Sequence, residues 1–294
     1  MSLFPSFARP NSLQQATDLL SSLASGAVII AGGQEIMPSV NRGVLQPDVY
    51  VDIGSIKELR GIEMDADSGQ LAIGALTVHR ELQTDELVKQ HAPLLALAAH
   101  KAGGGRQVHN RGTIGGNIVA MHPLYDISPS LLALEADVEM LKDGVLTRSS
   151  LASLLTDTRH GLGSDAILLR VLIAPCAPAV GYGYEKLKMS GGAYGSANAA
   201  AIVAMDGPQF ESVRLSIGAV SERLIDATAA ANFLQGQRWS PAAAEQLKTA
   251  VSSLVTEPLS DQQGNGDWRT AMAGVVAVRA CTAAVELAQV DGLR

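Results

Sequence analysis

Apolar positions along this chain switch between helical and alternating spacing, and glycine or proline marks most of the switches. Ser12-Leu13-Gln14-Gln15 reads as a capping box, and Leu13, Ala16, Leu20 and Leu23 follow at helical spacing, which predicts a first helix. Gly26–Ala31 is a β-branched run ending in glycines, and Val49–Ile53 alternates around Asp52, so two strands flank the segment between them. Asp52 in that setting reads as a structural hydrogen-bonder. Leu71 and Ile73 predict another strand, and Pro93–Lys101 a buried helix running into Gly103-Gly104-Gly105. A helix at Ser130–Glu135, a strand at Val138–Leu141, a short helix at Leu151–Leu155 and an apolar strand at Ile167–Ile173 come next, until Pro175 and Pro178 break the pattern.

Beyond Gly181 the character changes. Strand candidates at Tyr182–Met189, Ala199–Met205 and Ser212–Val220 follow one another like a meander, and the remainder is helical. The helices are Asp226–Leu234, Pro241–Leu254 capped by Ser240, and the alanine-rich Trp268–Gln289. A separate C-terminal domain is expected here. The interspersion of strands and helices predicts an α+β fold, too irregular for a doubly wound parallel sheet.

At 294 residues and 47% hydrophobic, the chain buries a substantial core and is expected to divide into two or three domains. Its net charge of -7 supplies no field to gather nucleic acid or an anionic membrane. The longest apolar stretches, such as Ala197–Met205 and Gly274–Val278, are too short to span a bilayer, so no transmembrane helix is expected. Met1-Ser2-Leu3-Phe4-Pro5 lacks a basic region and a continuous apolar region, which points to the cytoplasm. Cys176 and Cys281 are the only cysteines, so neither a disulfide framework nor an iron–sulfur cluster is expected on this chain. His79, His91, His100, His109, His122 and His160 are scattered without HxH or HxxxH pairing, and no metal site or catalytic constellation is expected.

Candidate chemistry concentrates in two glycine segments, Ala31-Gly32-Gly33-Gln34-Glu35-Ile36 and Thr113-Ile114-Gly115-Gly116-Asn117. Paired glycines let backbone N–H groups approach an anion without interference from Cβ. Neither segment forms G-x-G-x-x-G, and no Walker lysine follows. Two such nests on one diphosphate imply a cofactor lying across two subdomains, a description that FAD fits.

The same segments carry a family resemblance. Ala31-Gly32-Gly33 through Val51-Asp52-Ile53, Ile56–Ile62 and Ile73-Gly74-Ala75 are similar to the flavoprotein (medium) subunit of molybdenum hydroxylases, the family of xanthine dehydrogenase and carbon monoxide dehydrogenase. Gln107–Asn117, then Pro123, Asp126, Pro129 and Leu131–Leu134, match that family's most specific stretch, and the resemblance covers nearly the whole chain. It implies an FAD-binding domain over about residues 1–176, of the vanillyl-alcohol oxidase-like type, with subdomains of about 1–57 and 58–176. A C-terminal domain over 177–294, with a three-stranded sheet and packed helices, would follow. Carried over by position, the resemblance implies that Ile29, Ile30, Ala31, Gly32, Gly33, Gln34, Glu35 and Ile36 wrap the pyrophosphate together with Thr113, Ile114, Gly115, Gly116 and Asn117. It places Asp126 toward the ribose and adenine end, Leu168 against the flavin and Lys186 beside the isoalloxazine. No catalytic residue is implied.

The implied role is the flavin station of a larger enzyme, with molybdopterin on a large subunit and two [2Fe-2S] clusters on a small one. FAD would pass electrons to NAD+, oxygen or another acceptor, in a dimer of heterotrimers. Three positions depart from the family pattern: His109 stands where arginine is usual, and Ser190 and Tyr194 stand where an arginine and an aspartate are common. Arg106, His109 and Arg111 are candidate phosphate contacts or solvated loop charges. Two other readings stand beside this one, a flavin-empty assembly subunit and a stand-alone FAD oxidoreductase.

Overall fold

The computed structural model describes residues 5–23, 26–142, 144–157, 166–177 and 180–291; the readings placed on Met1–Phe4, His160 and Pro178 fall outside them. The fold is α+β, as expected, and is organised around three sheets.

The first sheet is parallel. β1 (Ser6–Ala8), β2 (Ala27–Ile30) and β3 (Val49–Asp52) lie in the order β1-β3-β2, joined by α1 (Leu13–Ser22) and α2 (Ile36–Asn41). Ser12 caps α1 by accepting the Gln15 amide at 3.2 Å, while the Gln15 side chain accepts the Asn11 amide at 2.9 Å. The expected box is thus shifted by one residue. Ala16 and Leu20 bury the inner face of α1 against Val51, Ile53 and Ile56, a core that Leu76 and Ile167 extend to the second sheet. Asp52 takes the structural role expected of it, accepting from Arg9 and from the Gly54 amide.

β4 (Ile62–Met64), β5 (Leu71–Gly74), β6 (Asp137–Lys142), β7 (Val145–Ser150) and β8 (Ala166–Ile173) form the second sheet in the order β4-β5-β8-β6-β7. Its pairs are antiparallel. Between β5 and β6 runs a helical segment of α3 (His79–Thr84), α4 (Glu86–His91), α5 (Pro93–Lys101), α6 (Gly105–Arg111), α7 (Ile114–Ala120) and α8 (Ile127–Ala133); α9 (Leu151–Asp157) follows β7. Buried Leu94, Leu95, Ala98 and Ala99 make α5 the centre of this layer, as its unbroken apolar run predicts. α3, α4, α6 and α7 span six or seven residues each, too short for a periodic pattern to announce them.

The third sheet is the expected meander of β9 (Val180–Leu187), β10 (Ala197–Asp206) and β11 (Gln209–Gly218), extended by the two-residue β12 (Ile225–Asp226). Ala200 and Ile202 of β10 join the core that contains α5 and α8, whereas Ala199, Ala201 and Val203 join the core of α11 (Pro241–Ser253) and α12 (Gly266–Asp291). Burial on both faces explains why β10 is apolar without a break from Ala199 to Met205. α10 (Thr228–Ala231) packs beside β11.

The expectation about bilayer-spanning length is corrected by α12. Residues Gly266–Val290 are long and apolar enough to cross a membrane by length and composition. The helix nevertheless lies on β9 and β10, with Ala273, Val276, Ala277, Ala280, Cys281 and Ala284 buried in the core. At Gly181, a Cβ would fall 1.8 Å from the Ala284 carbonyl oxygen, so helix and strand approach to backbone contact. Fully buried Arg269 pins the start of α12, donating to the Ser196 and Ala219 carbonyls and to Asp261.

Candidate functional site

A cleft of about 410 Å³ opens where the first two sheets meet. The end of β2 and the loop after it form one wall; Ala75, Leu76 and the 113–117 segment form another; Ile167 and Leu168 of β8 floor it. Asp126, just before α8, and Tyr194, between β9 and β10, complete the lining. Of the sequence candidates, Ile29, Ala31–Ile36, Thr113, Gly115, Gly116, Asn117, Asp126 and Leu168 line this cleft. Ile30, Ile114 and Lys186 do not: Ile114 is fully buried in the second-sheet core, and Lys186 lies behind Asp126.

The two glycine segments are not equivalent. In the first, the amide groups of Gly32, Gly33, Gln34, Glu35 and Ile36 have no hydrogen-bond partner among the described residues. They are the unpaired donors of a chain turning into α2, with Gly33 held at φ 71°. Five successive unpaired N–H groups beside a cleft form an anion-binding concavity.

In the second, the backbone amides from Ile114 to Asn117 are already taken. Ile114 N–H donates to the Thr77 carbonyl (2.9 Å), Gly115 to Ala75 (2.9 Å), Gly116 to the Thr113 hydroxyl (3.0 Å) and Asn117 to the Thr113 carbonyl (2.9 Å). The two segments therefore differ in their free backbone donors: the second glycine pair clips α7 to the chain after β5. A Cβ at Gly115 would lie 2.8 Å from both the Cβ and the carbonyl oxygen of Ala75. Gly32 also serves packing, since its Cβ would fall 1.8 Å from the Arg111 carbonyl oxygen. That close approach sets the first loop directly against the start of the second.

Asp126 and Lys186 form a buried ion pair at 2.7 Å, their side chains 3% and 2% exposed. The remaining acceptor capacity of Asp126 is met by the Gly103 amide (3.1 Å) and the Tyr184 hydroxyl (3.0 Å). Burial and the adjacent Asp126 carboxylate push the Tyr184 phenol well above its ordinary pKa, so it remains a donor. Asp126 and Lys186, expected at different parts of a cofactor, form a single compensated unit.

His109 likewise departs from its expected part. Its Nδ1 lies 3.0 Å from the Gln83 amide nitrogen and its Nε2 2.9 Å from the Ala102 carbonyl oxygen. Both ring nitrogens are thus satisfied within the chain. It ties α3 and α6 to the end of α5, and it is not part of the cleft lining.

Several residues in or beside the cleft had no sequence signal. Tyr125 donates to the Glu35 carboxylate at 2.5 Å, and its phenol is raised by burial and by Glu35. His122, Tyr125 and Tyr194 form a three-ring cluster, with centroid distances of 4.8, 5.4 and 6.0 Å, and burial lowers the His122 pKa. His79 opens α3 with only 4% exposure, lines the cleft, and has no hydrogen-bond partner for either ring nitrogen among the described residues. Burial, reinforced by His109, pulls its pKa down to about 4.

This donor set fits an elongated dinucleotide such as FAD. Unpaired N–H groups suit its diphosphate, and the walls of Ile29, Ala75, Leu76, Ile167 and Leu168 suit its rings.

Comparison with known proteins agrees with that chemistry. Residues 4–175 match the family model for the FAD binding domain in molybdopterin dehydrogenase, and residues 182–284 match the CO dehydrogenase flavoprotein C-terminal domain. The carbon monoxide dehydrogenase medium chain of Hydrogenophaga pseudoflava is 32% identical over 276 residues, covering 94% of this chain and 95% of the relative. The nicotine 6-hydroxylase medium subunit of Paenarthrobacter nicotinovorans is 29% identical over 266 residues, or 90% and 91% of the two chains. Among solved structures, a chain of the Hydrogenophaga pseudoflava carbon monoxide dehydrogenase lacking the Mo-pyranopterin moiety superimposes with TM-score 0.92 at 30% identity, over 98% of this chain and 99% of that one. A chain of quinoline 2-oxidoreductase from Pseudomonas putida 86 gives TM-score 0.88 at 28% identity, over 98% and 100%.

Proposed function

Because this chain belongs to the FAD-binding medium subunits of the molybdenum hydroxylase family, we propose that it relays electrons within a multi-subunit dehydrogenase, from [2Fe-2S] clusters on a small partner to NAD+ or another acceptor. A large partner carries molybdopterin and the substrate, and the assembly is a dimer of heterotrimers in the cytoplasm. Relatives named for carbon monoxide, nicotine and glyceraldehyde share this chain's length and sequence pattern, which fits substrate chemistry sited on another subunit. The observation that carries the reading is the row of five unpaired amides, Gly32–Ile36, along a cleft with apolar walls.

In this reading, FAD supplies redox chemistry at its isoalloxazine ring. The Gly32–Ile36 amides hold the diphosphate, while Thr113, Gly116 and Asn117 shape the facing wall. Gly116 leaves room there, since a Cβ would meet only the Thr113 hydroxyl. Leu168 with Ala75 and Leu76 excludes water from the ring-binding part. Asp126 and Lys186 present a neutralised polar edge, so neither charge is buried uncompensated when the cleft fills. The domains divide at about residue 176, and the first divides again near residue 57.

The visible absorption spectrum of the purified chain, with chromatography of any released chromophore, tests the reading. FAD near one equivalent is expected. No flavin after reconstitution with FAD would favour an assembly subunit. In the complex, Gly116→Trp fills the cleft and abolishes acceptor reduction while the molybdenum centre is retained; an unchanged acceptor rate sinks the relay.

A further inference from the structure

The wall of the cleft opposite the free amides spends most of its backbone donors within the chain. Ile114, Gly115, Gly116 and Asn117 commit their N–H groups to Thr77, Ala75 and Thr113, whose hydroxyl accepts from Gly116. His79 sits on this wall as the first residue of α3, its backbone amide donating to the Gly112 carbonyl at 3.0 Å. The imidazole is packed beside Gly112, where a Cβ would lie 3.3 Å from His79 Cε1. The Thr113 carbonyl lies near the ring without completing a hydrogen bond, so both ring nitrogens are buried and unpartnered.

Such a group carries a free-energy cost. A buried polar atom without a partner loses its hydration and gains nothing in return, at about 1–3 kcal/mol. By contrast, His109 has both nitrogens satisfied by Gln83 and Ala102. Of the two histidines, His79 is the one that lines the cleft. A neutral imidazole offers one N–H donor and one acceptor, which is what a hydroxyl or a nitrogen-bearing ring edge requires.

We propose that His79 is a cofactor-binding residue, its imidazole hydrogen-bonding directly to FAD from the wall opposite the Gly32–Ile36 amides. This rests on the FAD reading above and adds a polar contact to it. In holding the ring, α3 would couple occupancy of the cleft to the α3–α5–α6 layer through the neighbouring Gln83–His109–Ala102 bonds.

The test uses the full chain and has two readouts. FAD affinity is measured by flavin fluorescence quenching for wild type, His79→Leu and His79→Gln. Leu keeps an apolar side chain without hydrogen bonds, and Gln retains a donor and an acceptor. The expected result is an affinity about five- to tenfold weaker in His79→Leu, largely rescued in His79→Gln. Long-range 1H–15N spectra of histidine-labelled wild type supply a readout independent of any variant's folding. On saturation with FAD, the His79 nitrogens shift and settle into one neutral tautomer. Wild type that binds FAD with the His79 resonances unmoved overturns the proposal, as does undiminished affinity in a folded His79→Leu. Wild type that binds no FAD overturns the FAD reading itself.

Discussion

The two glycine segments look alike on paper and do different work in the fold. Gly32-Gly33 opens a loop whose five amides stay unpaired, whereas Gly115-Gly116 opens α7 with each amide committed to Ala75, Thr77 or Thr113. The difference comes from the helix each segment enters and the backbone beside it. The first loop leaves a strand of the parallel sheet and enters a helix without a side-chain cap. The second enters a helix capped by Thr113 and lies against the chain leaving β5. One segment offers free amides to the cleft, and the other holds the wall opposite. A glycine pair is therefore a statement about space, and whether that space is filled by an anion or by another strand of backbone is decided elsewhere in the chain.

The largest effects come from glycines where no Cβ fits. Gly32→Ala sets a methyl 1.8 Å from the Arg111 carbonyl oxygen, a backbone atom that cannot swing away. A loss of about 3 kcal/mol is expected by urea unfolding, together with loss of bound flavin, because the loop is driven off its partner. Gly115→Ala meets Ala75 at 2.8 Å and is expected to cost about 1–3 kcal/mol by the same measurement. If Gly32→Ala retained wild-type stability, the contact between the two segments would not be the brace described here.

A comparable effect arises from pH on the wall opposite the free amides. Burial holds the His79 pKa at about 4 against an ordinary 6.5. The unfolded chain therefore binds a proton more readily than the folded one between those values, and stability rises with pH across that window. The contribution of neutral His79 is fully present above about pH 6.5 and is lost as pH falls toward 4. At about 1.4 kcal/mol per pH unit this amounts to roughly 3 kcal/mol. Urea midpoints at pH 7 and pH 4.5 should fall further in wild type than in His79→Gln; equal losses would move the acid sensitivity to another group.

These features divide along a clear physical line in what the sequence makes legible. Patterns that repeat within a few residues were readable: the Ser12 cap, the buried run of α5, the meander of β9–β11 and the two glycine segments themselves. Partners distant in sequence were not. Nothing near Gly115 announces Ala75, nothing near Gly32 announces Arg111, and nothing near Arg269 announces the Ser196 and Ala219 carbonyls that bury it. The short helices α3, α4, α6 and α7 escaped for a related reason, because six or seven residues hold fewer than two turns of pattern. His79 falls in that gap, and a single histidine in a run of ordinary helix residues carries no spacing signal.

Thr113→Val isolates the cap from the cleft. It removes the acceptor for the Gly116 amide while keeping the shape of the side chain, and should cost about 1 kcal/mol in urea unfolding. Flavin affinity should change less than in Gly32→Ala, since no free donor of the first segment is touched.

The smallest expected effect is the most discriminating. Gly116→Ala adds a methyl in a helix, where alanine is favoured over glycine by about 1 kcal/mol. That methyl meets only the Thr113 hydroxyl, at 2.9 Å, so the rotation that relieves it sacrifices the cap, worth a similar amount. The two terms oppose, and net stability should move by less than about 0.5 kcal/mol. Gly115→Ala, one residue earlier in the same helix, has no such escape because its obstacle includes backbone. If the second segment were an open anion nest like the first, both alanines would intrude on the bound phosphate and weaken flavin binding alike. If it is the clip described here, the two separate: Gly115→Ala loses stability and flavin together, while Gly116→Ala keeps its urea midpoint and stays yellow.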